Sequence, residues 1–427
     1  MARLFDEYLE DYAELIMKVG LNYKEGQRIR IGALPGRSAR FYTPLEAAPL
    51  VRELTARAYQ MGAPLVEVFW GDPALDLIRY QNAPRDSFQE IPTWAVDELY
   101  KATDRKDARI YIGGSNPYLF KEIDSALLSE LQKTRSETFR EVNEYLVQNP
   151  TPWIILLYPT ADWSQAVFPD LSPEDAVEKI SEYLVKFYRL DKEDPVQYWK
   201  GHFSSLIERA EALTERSFQT IYLKSPGTDL KVHLPEGHLW KTAVLKDKQG
   251  RENAVNMPSE EVFTVPDRMG VDGHVSSTKP FTMGDGFVDG LYLEFKEGKV
   301  TKVKAKTGEE FVKKTIEIDE GSCRLGELAL VPNSSPISQA GVIFHNTLLD
   351  ENASIHIALG RGIRDCLKGA DEMTTEDFLK AGGNHSTVHY DFMIGSAEID
   401  VDGIDQDGKT HPLMRKGEWA FNVQDEI

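Results

Sequence analysis

Cysteine is almost missing from this chain, since only Cys323 and Cys366 carry a thiol among 427 residues. Two thiols are too few for a disulfide scaffold or for a cysteine-type zinc site. The fold must therefore rest on apolar packing, and any metal ion must be bound by other side chains. We expect both thiols to be reduced and mostly buried, as in a cytosolic protein.

Long apolar runs are also lacking. No stretch of the sequence approaches the roughly 20 uncharged apolar residues that a membrane span needs. The first residues, MARLFDEY, contain early acids and no apolar segment, so a signal peptide is not expected. These features predict a cytoplasmic protein without a membrane partner.

Positive charge is in deficit. The chain has 49 Lys and Arg residues against 69 Asp and Glu residues, which gives a formal net charge of −20 at pH 7. Such a field repels phosphate backbones and anionic lipid, and the sequence contains no basic cluster to offset it. Nucleic acid is therefore not expected as a partner.

The length of the chain allows two or three domains. In the first half, predicted strands alternate with predicted helices. The strands are at 28–31, 65–70, 109–112 and 153–158. The helices are at 5–19, 45–61, 122–147, 173–189 and 195–214. This alternation predicts an α/β domain with a mostly parallel sheet over residues 1–215.

The composition shifts near residue 217. Alternating runs such as 220–224 and 230–234, with glycine-rich turns at 284–286 and 289–290, are typical of antiparallel strands. A few helices are expected among them. The second half, residues 216–427, is therefore predicted to be an α+β domain with an antiparallel sheet that carries a metal site.

Two motifs near the C-terminus resemble ligand-binding loops. Residues 403–410 match the phosphate-loop pattern, but Asp405 and Asp407 would repel a triphosphate and too few residues follow for a nucleotide domain. Residues 400–403 resemble the start of a calcium loop, but the glycine is misplaced. An acidic hairpin turn is the better interpretation of both motifs.

Histidines and acids are interleaved with apolar residues in the last third of the chain. His389 and Asp391 alternate within VHYDFMI at 388–394. In a strand, residues two apart project to the same face, as two ligands of one metal ion would. His356 lies in another apolar run, SIHIAL at 354–359.

Three glutamates stand in similar surroundings. Glu327 lies within LGELALV, Glu261 directly precedes Val262, and Glu351 comes five residues before His356. Burying a carboxylate alone in so apolar a run is costly. Taken singly, each histidine is more often a hydrogen-bonded core residue, and each glutamate more often faces water. The set indicates a metal site only if the fold brings its members together.

The chain resembles the aminopeptidase T / aminopeptidase S family of metallo-aminopeptidases. The resemblance covers nearly the whole sequence. It is densest in NMPSEEVFT at 256–264, LGE at 325–327, NTLLDENASIH at 346–356 and HYDFMIGS at 389–396. It implies that the metal ligands are Glu261, Glu327, Glu351, His356, His389 and Asp391.

The same resemblance implies two divalent metal ions, a homodimer, and the removal of N-terminal residues from peptides with a free N-terminus. Two imidazoles with four carboxylates suit zinc, cobalt or manganese, because no soft ligand selects copper. The predicted function is therefore that of a metal-dependent aminopeptidase, a hydrolase that uses a metal-activated water.

Two positions depart from the family pattern. Ile363 stands where family members usually have tyrosine, and His345 stands where they tend to have tyrosine in Phe-Tyr-Asn. If a tyrosine hydroxyl stabilises the tetrahedral intermediate, another donor must replace it. Glu260, as a general base, and His345 are the candidate catalytic residues. For Glu260 the alternative is an exposed neighbour of Glu261. For the whole chain the alternative is a peptide- or metal-binding protein that has lost turnover.

Overall fold

The computed structural model describes residues 4–34, 36–37, 42–146, 150–283, 286–420 and 423. The chain forms two compact units. The N-terminal unit comprises Met1–Gly201 and Ala243–Pro258, and the C-terminal unit comprises His202–Thr242 and Ser259–Ile427. The predicted ranges 1–215 and 216–427 place the division at the end of one helix, Pro195–Arg216, whereas the compact units divide inside it.

A parallel sheet of four strands lies at the centre of the N-terminal unit. Its spatial order is Val66–Val68, Ile29–Ile31, Ala108–Gly113, Trp153–Leu157, and every neighbouring pair is parallel. The chain first moves outward from Ile29–Ile31 to one edge, then returns to the other side of that strand. The strand order therefore reverses between Ile29–Ile31 and Ala108–Gly113. The prediction of an α/β fold with a parallel sheet is confirmed.

The segment Ala243–Pro258 belongs to this unit because it lies alongside the edge strand Trp153–Leu157. Asn256 forms a parallel bridge with Ile155, and the Asn253 side chain donates to the Trp153 carbonyl at 2.8 Å. The segment also contains a small antiparallel pair, Val244–Lys246 with Glu252–Ala254.

Helices and single helical turns precede, separate and follow the strands of the parallel sheet along the chain. They are Leu4–Tyr8, Leu9–Leu15, Ile16–Gly20, Leu45–Ala47, Ala48–Gln60, Pro73–Asn82, Arg85–Gln89, Trp94–Asp104, Ser125–Thr138, Arg140–Leu146, Ala161–Val167, Pro173–Phe187 and the first part of Pro195–Arg216. The helices Pro73–Asn82, Trp94–Asp104 and Ala161–Val167 were not predicted, and in the first of them no residue is buried. The predicted helix end at residue 147 lies outside the described residues. No helix among the described residues is long and apolar enough to cross a membrane.

The larger sheet of the C-terminal unit has eight antiparallel strands. Their order is Lys299–Lys304, Tyr292–Lys296, Val271–Ser276, Thr228–His233, Thr220–Ser225, Asp400–Ile404, Thr410–Arg415, Glu418–Trp419. The antiparallel prediction for this half of the chain is confirmed. A separate pair joins Phe281–Met283 to Gly286–Val288, and the predicted turn at 284–286 begins with two residues outside the described ones.

The acidic motif near the C-terminus is a hairpin turn. It connects Asp400–Ile404 to Thr410–Arg415, and the Asp405 carboxylate accepts from the backbone N–H of Asp407 at 3.0 Å and of Lys409 at 2.9 Å. A carboxylate that caps its own turn leaves no cradle of N–H groups for a phosphate. The hairpin interpretation is therefore confirmed.

A second antiparallel sheet of the C-terminal unit has four strands. Their order is His389–Met393, His356–Gly360, Leu325–Leu330, Val262–Thr264. Every residue of the two central strands is buried. Short helical segments surround this sheet in the sequence: Glu309–Thr315, Pro336–Gln339, Thr347–Asp350, Glu351–Ala353, Arg364–Cys366 and Thr375–Lys380.

Two glycines allow close backbone contacts at one end of this sheet. The register shifts between Leu325 and Glu327, so Gly326 forms a bulge. A Cβ atom on Gly326 would lie 2.3 Å from the Arg361 carbonyl oxygen. Gly360 has a φ of +107°, and its Cβ atom would lie 2.1 Å from the Val388 carbonyl oxygen. Any larger residue at either position would push neighbouring strands apart.

We predict that Gly326→Ala lowers the free energy of unfolding by about 2 kcal/mol or more, because the added methyl group must displace backbone. Gly201→Ala is the matched control. Gly201 lies in a helix, and a Cβ atom there would meet nothing within 4 Å. That control should raise stability by up to about 1 kcal/mol. Urea unfolding measures both changes, and equal stability of the two variants would contradict the proposed crowding.

Candidate metal centre

Two acids lie in register on either side of a small residue. Glu327 pairs with Ala358 across one strand boundary, and Asp391 pairs with Ala358 across the next. Residues opposite each other on neighbouring strands project to the same face of the sheet. Because the alanine methyl group is short, it leaves room for both carboxylates above it.

Two histidines share this face of the sheet. His356 lies two residues before Ala358, and His389 lies two residues before Asp391, so period-two alternation aims both rings to the same side. Nε2 of His389 lies 3.1 Å from Glu327 Oε2 and 3.3 Å from Asp391 Oδ1. Nε2 of His356 lies 3.8 Å from Glu327 Oε1. The Glu327 carboxylate therefore stands between the two rings.

Glu261 reaches the same face from the neighbouring strand. It directly precedes Val262–Thr264, and its Oε2 atom lies 3.3 Å from Nε2 of His356. Two groups of three ligand-type side chains result. One is Glu261, Glu327 and His356, the other is Glu327, His389 and Asp391, and the ligand atoms within each group lie within 4.8 Å of one another. Glu327 is common to both groups.

Glu351, the sixth predicted ligand, belongs to neither group. It begins the helical turn Glu351–Ala353 and is half-buried. Its pKa is held well above the usual range, first by burial and then by the negative charges of Glu261 and Asp391. Those charges act on Glu351 only because its carboxylate lies near theirs.

Backbone carbonyl groups fix the orientation of both rings. Nδ1 of His356 lies 3.1 Å from the Ser354 carbonyl oxygen, and Nδ1 of His389 lies 2.8 Å from the Arg361 carbonyl oxygen. A carbonyl only accepts, so each Nδ1 carries a hydrogen, and Nε2 is the nitrogen through which each neutral ring would bind a metal ion. A hydrogen bond from the other ring nitrogen to a carbonyl group is typical of histidines that bind metal ions.

The charges of the cluster shift the pKa values of its members. Burial raises the pKa of Glu261, and the charges of Glu327 and Asp391 raise it further. Burial also opposes ionisation of Glu327, but hydrogen bonds with His356 and His389 outweigh it and lower its pKa to about 2. Burial lowers the pKa of both histidines, but the neighbouring carboxylates outweigh it and hold those values well above normal. Protons therefore compensate the negative charge where no cation does. The donor set and its charge fit divalent cations.

Glu260 is buried, with 4% of its surface exposed. The alternative that it is an exposed neighbour of Glu261 is therefore wrong. Its backbone N–H donates to Asn352 Oδ1 at 2.8 Å, and its Oε2 atom lies 3.4 Å from Nε2 of His202. Sequence analysis missed His202, which lies on the helix Pro195–Arg216 and carries no local signal. It also missed the positioning role of Asn352.

The two departures from the family pattern have different surroundings. Ile363 packs against a hydrophobic cluster, so its side chain serves packing and offers no hydroxyl group. His345 is half-buried with a φ of +52°, and burial lowers its pKa. A catalytic role for His345 stays a prediction.

Comparison with known proteins identifies the family. The family described as thermophilic metalloprotease (M29) matches residues 5–419. Aminopeptidase AmpS of Bacillus subtilis is 38% identical over 98% of this chain and 99% of its own. Aminopeptidase T of Thermus thermophilus is 39% identical over 97% of this chain and 99% of its own.

The fold agrees with that identification. The solved structure of wild-type AmpT from Thermus thermophilus matches with a TM-score of 0.90 at 37% identity, covering 98% of this chain and all of that one. The resemblance noted in the sequence is confirmed, and the family implies the use of divalent metal. The chain belongs to the thermophilic metalloprotease (M29) family.

Proposed function

We propose that this chain is a metallo-aminopeptidase that hydrolyses the first peptide bond of substrates with a free N-terminus. The observation that carries the proposal is the pair of three-residue groups that share Glu327. Its relatives in the metalloprotease family are named aminopeptidases, which supports the same activity here. The alternative of a binding protein without turnover rested on Ile363, and packing accounts for that residue.

The proposed centre would hold two divalent ions. Glu261 and His356 would bind one and His389 and Asp391 the other, and Glu327, which belongs to both groups, would serve both ions. Glu351 would be the fourth carboxylate ligand. With the two histidines, all six predicted ligands would then take part. Because the proposed ligands are two imidazoles and four carboxylates, zinc, cobalt or manganese would each suit the site.

Charge balance favours two ions over one. Glu261, Glu327, Glu351 and Asp391 contribute four negative charges when ionised, and two divalent cations contribute four positive charges. A single cation would leave a buried excess of negative charge, which is costly. The filled site would be formally neutral with both histidines uncharged.

The chemistry divides between the ions and the chain. Divalent ions in such a site lower the pKa of a water, polarise the scissile carbonyl and offer a ligand position to the substrate α-amine. Glu260 would accept the proton of the attacking water as general base and return it to the leaving amine. His202 would position the Glu260 carboxylate, while Asn352 fixes its backbone.

The remaining predictions concern location and assembly. A cytoplasmic location, a homodimer, and the absence of nucleic-acid and membrane partners stay predictions from composition and resemblance. The net charge of −20 supports the exclusion of polyanionic partners.

The test of function compares an aminoacyl-anilide with its N-acetylated form. We expect the chain to release aniline from the free-amine substrate only, and only with added zinc, cobalt or manganese. Acetylation turns the α-amine into an amide, which neither carries a positive charge nor offers a lone pair to a metal ion. Cleavage of both substrates would indicate an endopeptidase or esterase. No cleavage with any metal would favour the binding-protein alternative.

We predict that Asp391→Ala and His389→Ala each lower kcat/KM by more than tenfold, a loss above about 1.4 kcal/mol, and lower bound metal. Glu260→Gln should lower kcat by about 10²–10⁴-fold while it retains the metal, as expected for a general base. Glu398→Gln, at an exposed acid, is the control. Metal content is measured beside activity, and a Glu260 variant with near-normal kcat would remove that residue from the mechanism.

We predict that chelation lowers the melting temperature, because ions bound only to the native state add RT ln(1 + [L]/Kd), about 4 kcal/mol at a thousandfold excess. The gap between metal-bound and metal-free protein should widen from pH 5 to pH 8. The pKa of Glu261 and of Glu351 is raised in the folded state, so their contribution to stability is present at low pH and lost as the pH rises through those values.

The histidines change stability in the same direction, because their pKa values are also raised. Glu327 has the opposite sign, but its pKa of about 2 places that loss below the tested range. Comparing the two forms at each pH removes the acid sensitivity of the rest of the chain. Equal melting temperatures across this range would show that the acids are not clustered.

A further inference from the structure

Three arginines of the N-terminal unit line one small cavity. Arg30 lies on Ile29–Ile31, Arg109 lies on Ala108–Gly113, and Arg37 follows the first of these strands. Leu34 and Tyr111 also line this cavity. Arg30 is 3% exposed and Arg109 is 7% exposed. Charged side chains so deeply buried need compensation.

The strand register places two of these charges side by side. Arg30 pairs with Arg109 across neighbouring parallel strands, so both side chains project to the same face of the sheet. Like charges at such a position repel each other and destabilise the pair. Glu67 lies in register on the other side of Arg30, whereas Arg109 has only Arg30 and Trp153 as its cross-strand neighbours.

Both guanidinium groups have donors to spare. Nε and Nη2 of Arg30 and of Arg109 are buried and donate no hydrogen bond within the described part of the chain. Arg37 donates from Nη1 to the side-chain carbonyl of Asn143, which is neutral. Unpaired buried donors on a charged group carry a large desolvation cost unless a ligand accepts from them.

Three acids lie near Arg30, and another arginine forms close ion pairs with two of them. The charges of Glu98, Glu67 and Asp107 act on Arg30. Nη2 of Arg105 lies 2.9 Å from Glu98, 2.8 Å from Asp107 and 3.9 Å from Glu67. These acids therefore compensate Arg30 and Arg105, and within the described part of the chain no acid lies within ion-pair distance of Arg37 or Arg109.

Aromatic rings hold two of the guanidinium groups by their faces. The Arg30 guanidinium carbon lies 4.9 Å from the centre of the Phe69 ring, and that of Arg37 lies 5.3 Å from the centre of the Phe139 ring. Stacking uses the plane of a guanidinium and leaves its N–H edges for a planar or tetrahedral oxyanion.

The cavity lies against one face of the sheet, at the two strands between which the strand order reverses. Those strands are Ile29–Ile31 and Ala108–Gly113. Arg30, Arg109 and Tyr111 line the cavity from within the strands, and Gly32 lines it from the residue that follows the first of them.

We propose that this arginine cavity, lined by Arg30, Arg37 and Arg109, binds a small oxyanion of the phosphate or carboxylate class. The guanidinium N–H groups donate to its oxygens as charge-assisted hydrogen bonds. The net charge of −20 repels extended polyanions, so the ligand is small. The inference does not rest on the proposed peptidase function, and its test requires no turnover.

The test measures thermal unfolding of the full-length, metal-loaded protein. Sodium sulfate, sodium phosphate and sodium acetate are titrated against sodium chloride at matched ionic strength. We expect a saturable rise in melting temperature beyond that in chloride. A response to sulfate and phosphate identifies a tetrahedral oxyanion, and a response to acetate alone identifies a carboxylate. No response beyond chloride in any series overturns the proposal.

Substitutions assign the response to the cavity. Arg30→Met and Arg109→Met should each abolish it, while Arg52→Met, at an exposed position of the same unit, should keep it. Asp391→Ala should also keep it, which excludes an oxyanion bound at the metal centre. A rise that persists in both Arg30→Met and Arg109→Met overturns the proposal.

Two further measurements guard against unfolded variants. In chloride alone, the two methionine variants should melt no lower than the wild type, because each removes an uncompensated buried charge. Arg109→Lys keeps the charge but loses the forked donor geometry, so it should fold and bind the oxyanion at least tenfold more weakly. An Arg109→Lys variant with wild-type affinity would contradict the proposed hydrogen bonds.

Discussion

Mutual repulsion among buried carboxylates is the constraint on which the C-terminal unit depends. Glu261, Glu327 and Asp391 share one face of a sheet whose central strands are wholly buried. Like charges in a low-dielectric interior are tolerated only with compensation, either by protons or by cations. Burial and this crowding raise the pKa of Glu261, whereas hydrogen bonds with His356 and His389 hold the pKa of Glu327 low. A cation removes the conflict, which couples metal binding to folding.

Small residues of the sheet leave space for the ligands of this centre. Ala358 keeps the space between Glu327 and Asp391 open, and Gly360 stands opposite His389. The close approach at Gly326 brings the Arg361 carbonyl near the strand, and that same carbonyl fixes the His389 ring. Small residues at these positions are thus as much a part of the site as the ligands, because they set the distances between them.

Much of this site could be predicted because the alternation of a strand and the apolar residues of a buried segment are both visible in the local sequence. His389 and Asp391 alternate with other residues in a largely apolar strand, and Glu327 interrupts another apolar strand. Each is a charged or polar residue within an apolar run, and the sequence alone shows this. Which carboxylate lies between the two rings depends on register across three strands, and register is not visible in any one of them. His202 reaches Glu260 from a distant helix. Its position depends on tertiary packing, which the sequence of the helix does not reveal.

The arginine cavity was missed for the opposite reason. Residues 28–31 and 109–112 alternate polar and apolar side chains, and that pattern is typical of a strand with one face in water. A parallel sheet in an α/β unit is usually covered on both faces, so its strands are expected to be apolar throughout. Alternation in such a strand therefore indicates a buried polar row rather than a solvent face. Arg30 and Arg109 are that row, and their unpaired donors pose the same question as the carboxylates of the C-terminal unit. In both units, a buried charge that the described protein groups do not balance indicates a ligand of the opposite sign.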